Sequence, residues 1–190
     1  MGTIKKTKNV LFFSLGLILL CSCKNPIGSG AALEIKGTVA IDKTTGLVWQ
    51  REATKDLNYQ DAMDYCANLS LDGHDDWRLP SISELKTIIA GCPSGTDACR
   101  LSDSCLSFDC GNNISACSCK RPGPGEDGWY WQKGVWIGGG DWFWSSSLQS
   151  DENSIAWGVY FSNGFVSGAG RNLIERDARA RCVRRNRNKD

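Results

Sequence analysis

The chain has 190 residues, with 22 basic and 21 acidic side chains, ten cysteines, eight tryptophans and one histidine. So even a charge balance supplies no basic field of the kind that holds nucleic acid, and no nucleic-acid partner is expected. One histidine and no H-E-x-x-H or G-x-S-x-G motif leave the common metalloprotease and serine-hydrolase chemistries without their residues.

At the N-terminus, Lys5, Lys6 and Lys8 precede an apolar run over 10–20 in which nine of eleven residues are large and apolar. A membrane-spanning helix needs ~20 such residues. The charged start and short apolar centre read instead as a secretory signal over 1–22. Leu20-Cys21-Ser22-Cys23 has lipobox spacing, which makes Cys23 the expected site of lipidation and the first mature residue. Lys24 follows it, and in enteric sorting rules a residue other than Asp there directs a lipoprotein to the outer membrane. Removing 1–22 takes away three lysines and no acid, leaving 19 basic and 21 acidic side chains. Beyond Cys23 eight cysteines remain, an even set suited to disulfides in an oxidising compartment.

Residues 23–36 read as a lipidated tether, small, polar and Gly/Pro-containing. Val39 and Ile41, then Leu47 and Trp49, alternate with polar residues around DKTTG, 42–46, which predicts a hairpin. In LNYQDAMDYCANL, 57–69, Ala62, Tyr65, Cys66 and Leu69 fall at helical spacing, with Asn58 as N-cap and Asp61 in the first turn. The polar turn LDGHDDW, 71–77, holds His74 beside Asp72, Asp75 and Asp76; a turn explains it better than a calcium or catalytic cluster. Ser81 and Glu84 then form an S-x-x-E capping box, Ile82, Leu85, Ile88 and Ile89 supply an apolar face, and Gly91 is the expected stop.

Residues 92–128 contain Cys92, Cys99, Cys105, Cys110, Cys117 and Cys119 but almost no apolar periodicity. This reads as a disulfide-stapled insertion with little regular structure. Paired C-x2-C knuckles are lacking, so no metal site is expected, and the spacing leaves the connectivity open, except that Cys117 and Cys119 are too close to pair with each other. From Trp129 to Ser147 there are five tryptophans in 19 residues. Trp142, Trp144 and Trp157 suit a core. Trp129, Tyr130, Trp131 and Trp136 follow the Gly/Pro-rich RPGPGEDG and are the aromatic candidates for a ligand surface. Ile155, Trp157, Val159 and Phe161 alternate along a strand, and Asn163-Gly164 predicts a type I′ turn. The segment ARARCVRR, 178–185, predicts one closing strand, with Ala178, Ala180 and Cys182 on one face and Arg179, Arg181 and Val183 on the other. Between 171 and 187 seven arginines stand against Glu175 and Asp177. Arg171, Arg176 and Arg179 are the basic candidates, able to hold a sulfated or carboxylated group through bidentate contacts. Residues 186–190 form a basic tail.

DKTTGLVWQ (42–50), L-x-Y-x-D-A-x-x-Y-C (57–66), DWRLPSISEL (76–85), WFWSSS (142–147), AWGVYFSNG (156–164) and ARCVR (180–184) stand in this order, and the combination resembles the Lcl C-terminal domain family over residues 37–185. The resemblance implies an α+β, C-type-lectin-like fold: a mixed, mainly antiparallel sheet, two short helices and, here, a disulfide-rich loop insertion. It also implies a disulfide between the first helix and the last strand, matching Cys66 and Cys182, and a role in adhesion, with sulfated glycans as one ligand class. Formylglycine-generating enzymes share the fold and an R-L-P-[ST]-x-x-E segment, here Arg78 to Glu84, but need a reactive cysteine pair near the C-terminus where only Cys182 lies. The expectation is therefore a non-enzymatic cell-envelope lipoprotein without a cofactor, anchored in the membrane by its lipid and binding a glycan or protein ligand. A structural or assembly component of the envelope is the alternative, and an enzyme a more distant one.

Overall fold

The computed structural model describes residues 33–92, 99–112, 117–119, 122–172 and 178–187. Eight strands form two four-stranded sheets. In the first, β1 (Leu33–Lys36), β2 (Val39–Asp42), β3 (Leu47–Gln50) and β8 (Val183–Arg185) lie in that order, all antiparallel. In the second, β6 (Phe165–Gly170), β5 (Ile155–Tyr160) and β4 (Trp142–Leu148) are antiparallel, and β7 (Ala178–Arg179) adds parallel to β4. With, among the described residues, three short helices and four disulfides, this is a mainly antiparallel α+β domain, compatible with the lectin-like expectation. Because β3 pairs with β8, the beginning and end of the domain share one sheet.

The expected hairpin is the β2–β3 pair. Asp42 closes its turn, its carboxylate accepting from the N–H groups of Thr44 and Thr45 at 2.8 and 3.1 Å. Helix α1 (Tyr59–Ala67) is capped by Asn58, whose Oδ1 accepts from the Asp61 N–H at 2.8 Å. Helix α2 (Ile82–Thr87) carries the complete Ser81/Glu84 capping box. Four local expectations change. Residues 33–36 are strand rather than tether, because Leu33 and Ile35 pair with Asp42 and Ala40 across a turn at Gly37. Helix α2 stops at Thr87, before Gly91, since the Thr87 hydroxyl donates to the Glu84 carbonyl and the N–H groups of Ile88 and Ile89 bond three residues back. The β5–β6 connection spans four residues, 161–164, with only Gly164 at positive φ. Asn163 is instead held by its own bonds, Oδ1 accepting from the Phe165 N–H and the carbonyl from the Cys119 N–H. Finally, 178–185 is not one strand, since β7 and β8 belong to different sheets.

Both faces of the second sheet are covered. Phe143, Trp157, Val159 and Val166 face one core with Phe161, helix α2 and Trp131. Trp142, Trp144, Ala156, Ala169 and Ala178 face the other, with Tyr59, Ala62 and Cys66 of α1 and with Trp77. The alternation read along 178–185 holds, but its second side is not solvent: Ala178, Ala180 and Cys182 enter the α1 core, while Val183 enters the α2 core.

The cysteine-rich segment is not an appendage. Cys92, Cys99, Leu101, Cys110 and Cys117 belong to the α2 core. The ammonium of Lys86 on α2, itself buried, donates to the carbonyls of Cys99 and Leu101 at 3.1 and 2.7 Å. A third helix, α3 (Phe108–Gly111), lies within this segment.

Candidate functional site

The Arg171 region is built on the start of α1. Leu57 N–H bonds the carbonyl of Ala178 at 2.7 Å and Tyr59 N–H that of Arg171 at 3.4 Å, so segment 56–59 runs between the two basic positions of the C-terminal third. On one side the Arg179 Nε lies 3.4 Å from Asp56 Oδ1. On the other, the Arg171 guanidinium stands over the Tyr59 ring, 4.9 Å from its centroid. Tyr59 is fixed from below: its hydroxyl donates to the Ser146 carbonyl at 3.1 Å, and its ring meets Trp144 edge-on at 5.9 Å. Burial raises the Tyr59 hydroxyl pKa above its ordinary value, with Arg171 acting in the opposite direction, so the phenol stays neutral.

Asn58, Tyr59, Gln60, Arg171 and Asn172 line an open cleft of about 370 Å³. Arg171 donates through Nη1 to the Asn153 carbonyl at 3.3 Å, while its Nε has no partner. Nearby acids are engaged by amides, Asp61 by Asn58 at 2.7 Å and Asp64 by Gln60 at 3.0 Å. Among the described residues Arg171 is thus the one charged side chain lining the cleft, and it makes no ion pair with any of them. With the Asn58 and Gln60 amides and the Tyr59 hydroxyl already donating within the protein, Arg171 and Asn172 are the groups of this polar surface free to meet an anionic ligand.

The other expected residues are distributed differently. Cys23 and Arg176 lie outside the described residues. The aromatic group expected at a ligand surface is largely interior: Tyr130 and Trp131 are buried, and Trp129 and Trp136 are partly buried against the α2 core. The Gly/Pro run causes this by folding back onto the aromatic backbone, with Gly123 N–H bonded to the Gly128 carbonyl at 2.6 Å and Gly125 N–H to that of Trp129 at 2.8 Å. Trp131 then packs on Phe161 and Phe143, at 5.6 and 6.3 Å between centroids.

All eight cysteines beyond residue 23 form disulfides: Cys66–Cys182, Cys92–Cys119, Cys99–Cys117 and Cys105–Cys110. The Cys66–Cys182 pair, with Cα atoms 5.4 Å apart, ties α1 to the segment between β7 and β8. Around His74 the chain forms a turn in which Leu71 and His74 exchange backbone bonds, while Asp76 lies 3.3 Å from Arg187. Among the described residues no cluster of three or more His, Cys, Asp or Glu is arranged to hold a metal ion.

The alternation puts Arg181 on the face opposite Cys182 and gives it no role; the structure buries it. It is 2% exposed, its guanidinium 4.5 Å from the Trp136 ring centroid and 5.3 Å from that of Phe143. Nη1 donates to the carbonyls of Gln50 and Arg51. Burial, and then the nearby charges of Arg51 and Arg179, pushes its pKa down to about 9. This places Arg181 in the interior as a cross-link between β3 and the aromatic segment; of the arginine candidates, Arg171 lines the cleft, while Arg179 lies beside Asp56.

The family model of the Lcl C-terminal domain matches residues 37–184, most of the chain and nearly all of the described structure. This chain belongs to the Lcl C-terminal domain family. No curated protein and no solved structure gives a significant match. Within this Lcl C-terminal domain the shared motifs map onto the framework: DKTTGLVWQ is the β2–β3 hairpin, L-x-Y-x-D-A-x-x-Y-C brings Tyr59 and Cys66, and DWRLPSISEL brings the α2 cap. The six cysteines of 92–119 lie in the span between DWRLPSISEL and WFWSSS, outside those motifs.

Proposed function

We propose that this protein is a cell-envelope lipoprotein displaying its Lcl C-terminal domain as an adhesion module, with sulfated or carboxylated glycans as ligands of the Arg171 cleft. The carrying observation is Arg171 itself, a cation standing over Tyr59 in an open cleft, surrounded by carboxamides and without a carboxylate partner among the described residues. An incoming sulfate or carboxylate would supply the charge-assisted bonds that the protein leaves unmade. A binding role also agrees with the cysteine chemistry, since Cys182, the thiol nearest the C-terminus, is held in a disulfide with Cys66. Among the described residues no helix is long and apolar enough to cross a membrane; the proposed attachment is by acylation of Cys23 in the lipobox Leu20-Cys21-Ser22-Cys23.

Two measurements test this. On a heparin column the wild-type chain is expected to be retained and Arg171→Ala to elute at clearly lower salt; absence of wild-type retention, together with silence on a sulfated-glycan array, defeats the glycan reading. Mass spectrometry of the chain expressed in a bacterium is expected to find acyl groups that Cys23→Ser abolishes, and acylation persisting in that variant refutes the anchor.

A further inference from the structure

A second cleft lies on the other face of the second sheet, between α3 and strand β6, with a volume of about 440 Å³. Its walls include Phe108, Asn112, Gln149, Trp157, Phe165 and Ser167, and among the described residues no charged side chain lines it. Phe108 is 50% exposed, an unusual position for a phenylalanine on a rigid support. The support is rigid because α3 is clamped at several points. The Cys105–Cys110 disulfide closes its turn, and the Phe108 N–H donates to both carboxylate oxygens of Asp151 at 3.0 and 3.2 Å. The Leu106 carbonyl accepts from the Trp157 indole at 3.0 Å and from the Ser150 N–H at 3.0 Å. Gly111 completes the floor: a Cβ there would stand 2.6 Å from the Trp157 ring, so only glycine lets α3 lie so close over the indole.

The polar members of the cleft are the telling ones. Gln149 is only 8% exposed, while Asn112 is exposed and Ser167 half-buried, and none of the three side chains makes a hydrogen bond among the described residues. Fully sealed polar atoms are ordinarily paired within the protein; the Gln149 oxygen and nitrogen are not sealed but open onto the cleft, where they are available to whatever occupies it. By contrast, the buried Ser145 and Ser147 of the adjoining strand β4 have partners: Ser145 donates to the Trp157 carbonyl at 2.7 Å, and Ser147 accepts from the Ile82 N–H at 2.9 Å.

The geometry points to a neutral carbohydrate site, in which one pyranose ring lies against Phe108 while its hydroxyls bond Gln149, Asn112 and Ser167. The volume suits a small ligand, and a few placed polar groups in an apolar wall are what such sites use to set orientation. The two carboxamides and the hydroxyl donate and accept, as sugar hydroxyls do, and the absence of charge disfavours an ionised ligand. This inference is independent of the Arg171 cleft, which differs in residues and in charge.

The test is saturation-transfer NMR on the full chain in a sugar-free detergent, with the methyl glycosides of glucose, galactose and N-acetylglucosamine as probes. At least one glycoside is expected to bind saturably, with affinity unchanged in 0.5 M NaCl (roughly a 4 Å Debye length). Phe108→Ala and Gln149→Ala are each expected to weaken it about tenfold or more, the step worth roughly 1.4 kcal/mol. Phe108→Tyr, which keeps the ring, is expected to retain binding and shows that the site tolerates substitution without unfolding. Arg171→Ala is expected to leave glycoside binding intact while reducing heparin retention, so the two readings fail separately. No saturable binding of any of the three probes, or binding that survives Phe108→Ala, or binding lost in Arg171→Ala, overturns the proposal.

Discussion

Replacing Cys66 and Cys182 together by alanine opens the longest cross-linked loop in the domain, 116 residues apart in sequence. In the chain-entropy account, closing a loop of that length removes about 5 kcal/mol of freedom from the unfolded state. The Cys92–Cys119 bond lies inside the loop and shortens the covalent path to about 90 residues, which lowers the figure by only about 0.2 kcal/mol because the dependence is logarithmic. Replacing Cys105 and Cys110, five residues apart, removes about 2 kcal/mol by the same account. Both Cys66 and Cys182 are fully buried, so lost packing adds to the larger effect. Urea titrations of the two double-alanine variants, followed by near-UV circular dichroism from the buried tryptophans, compare the losses directly. A smaller loss for the Cys66/Cys182 pair than for the Cys105/Cys110 pair would sink the entropy argument and place the stabilisation in native contacts instead.

Ser81→Ala removes one half of the α2 capping box and a 2.7 Å bond to Asp103, and is expected to cost about 1 kcal/mol in urea unfolding; an unchanged midpoint would show that the cap is redundant. Glu84 supplies the pH dependence. Burial acts to raise its pKa, but the paired bonds from Arg78 at 2.7 Å and the Ser81 N–H outweigh this and hold it below the ordinary carboxylate value. A depressed folded-state pKa contributes stability that is fully present above the unfolded value, roughly pH 4.3, and fades as pH falls through the folded one. The difference in urea midpoint between wild type and Glu84→Gln is thus expected to be larger at pH 7 than at pH 3, and an equal difference at both would contradict the pairing. Gly158→Ala would set a Cβ 2.4 Å from the Trp142 ring and 2.5 Å from the Phe143 carbonyl, with an expected loss of about 1 to 3 kcal/mol; a thermal midpoint within a degree of wild type would mean the sheet yields there.

Elements whose signals lie within a few residues of one another were legible in the chain alone. Asn58 and Asp61 start α1, Ser81 and Glu84 start α2, and the alternation around 42–46 gives the β2–β3 hairpin; each rests on a bond spanning two to four positions. The family motifs carried the mainly antiparallel architecture and the Cys66–Cys182 link. Only the tertiary structure decided which faces are interior, because that depends on chain brought from far away. The alternation of Ala178, Arg179, Ala180 and Arg181 was visible, but Arg181 is buried by carbonyls about 130 positions distant and by the Trp136 ring, which no local pattern reports. Lys86 likewise stands among the apolar positions of α2 as an apparent surface residue, until the carbonyls of Cys99 and Leu101 close over it. Tyr130 and Trp131 are interior because the Gly/Pro run folds back over them, and Arg171 stands in an open cleft because α1 brings Tyr59 beneath it. Burial and the juxtaposition of distant residues are properties of the packed chain, and both clefts depend on them.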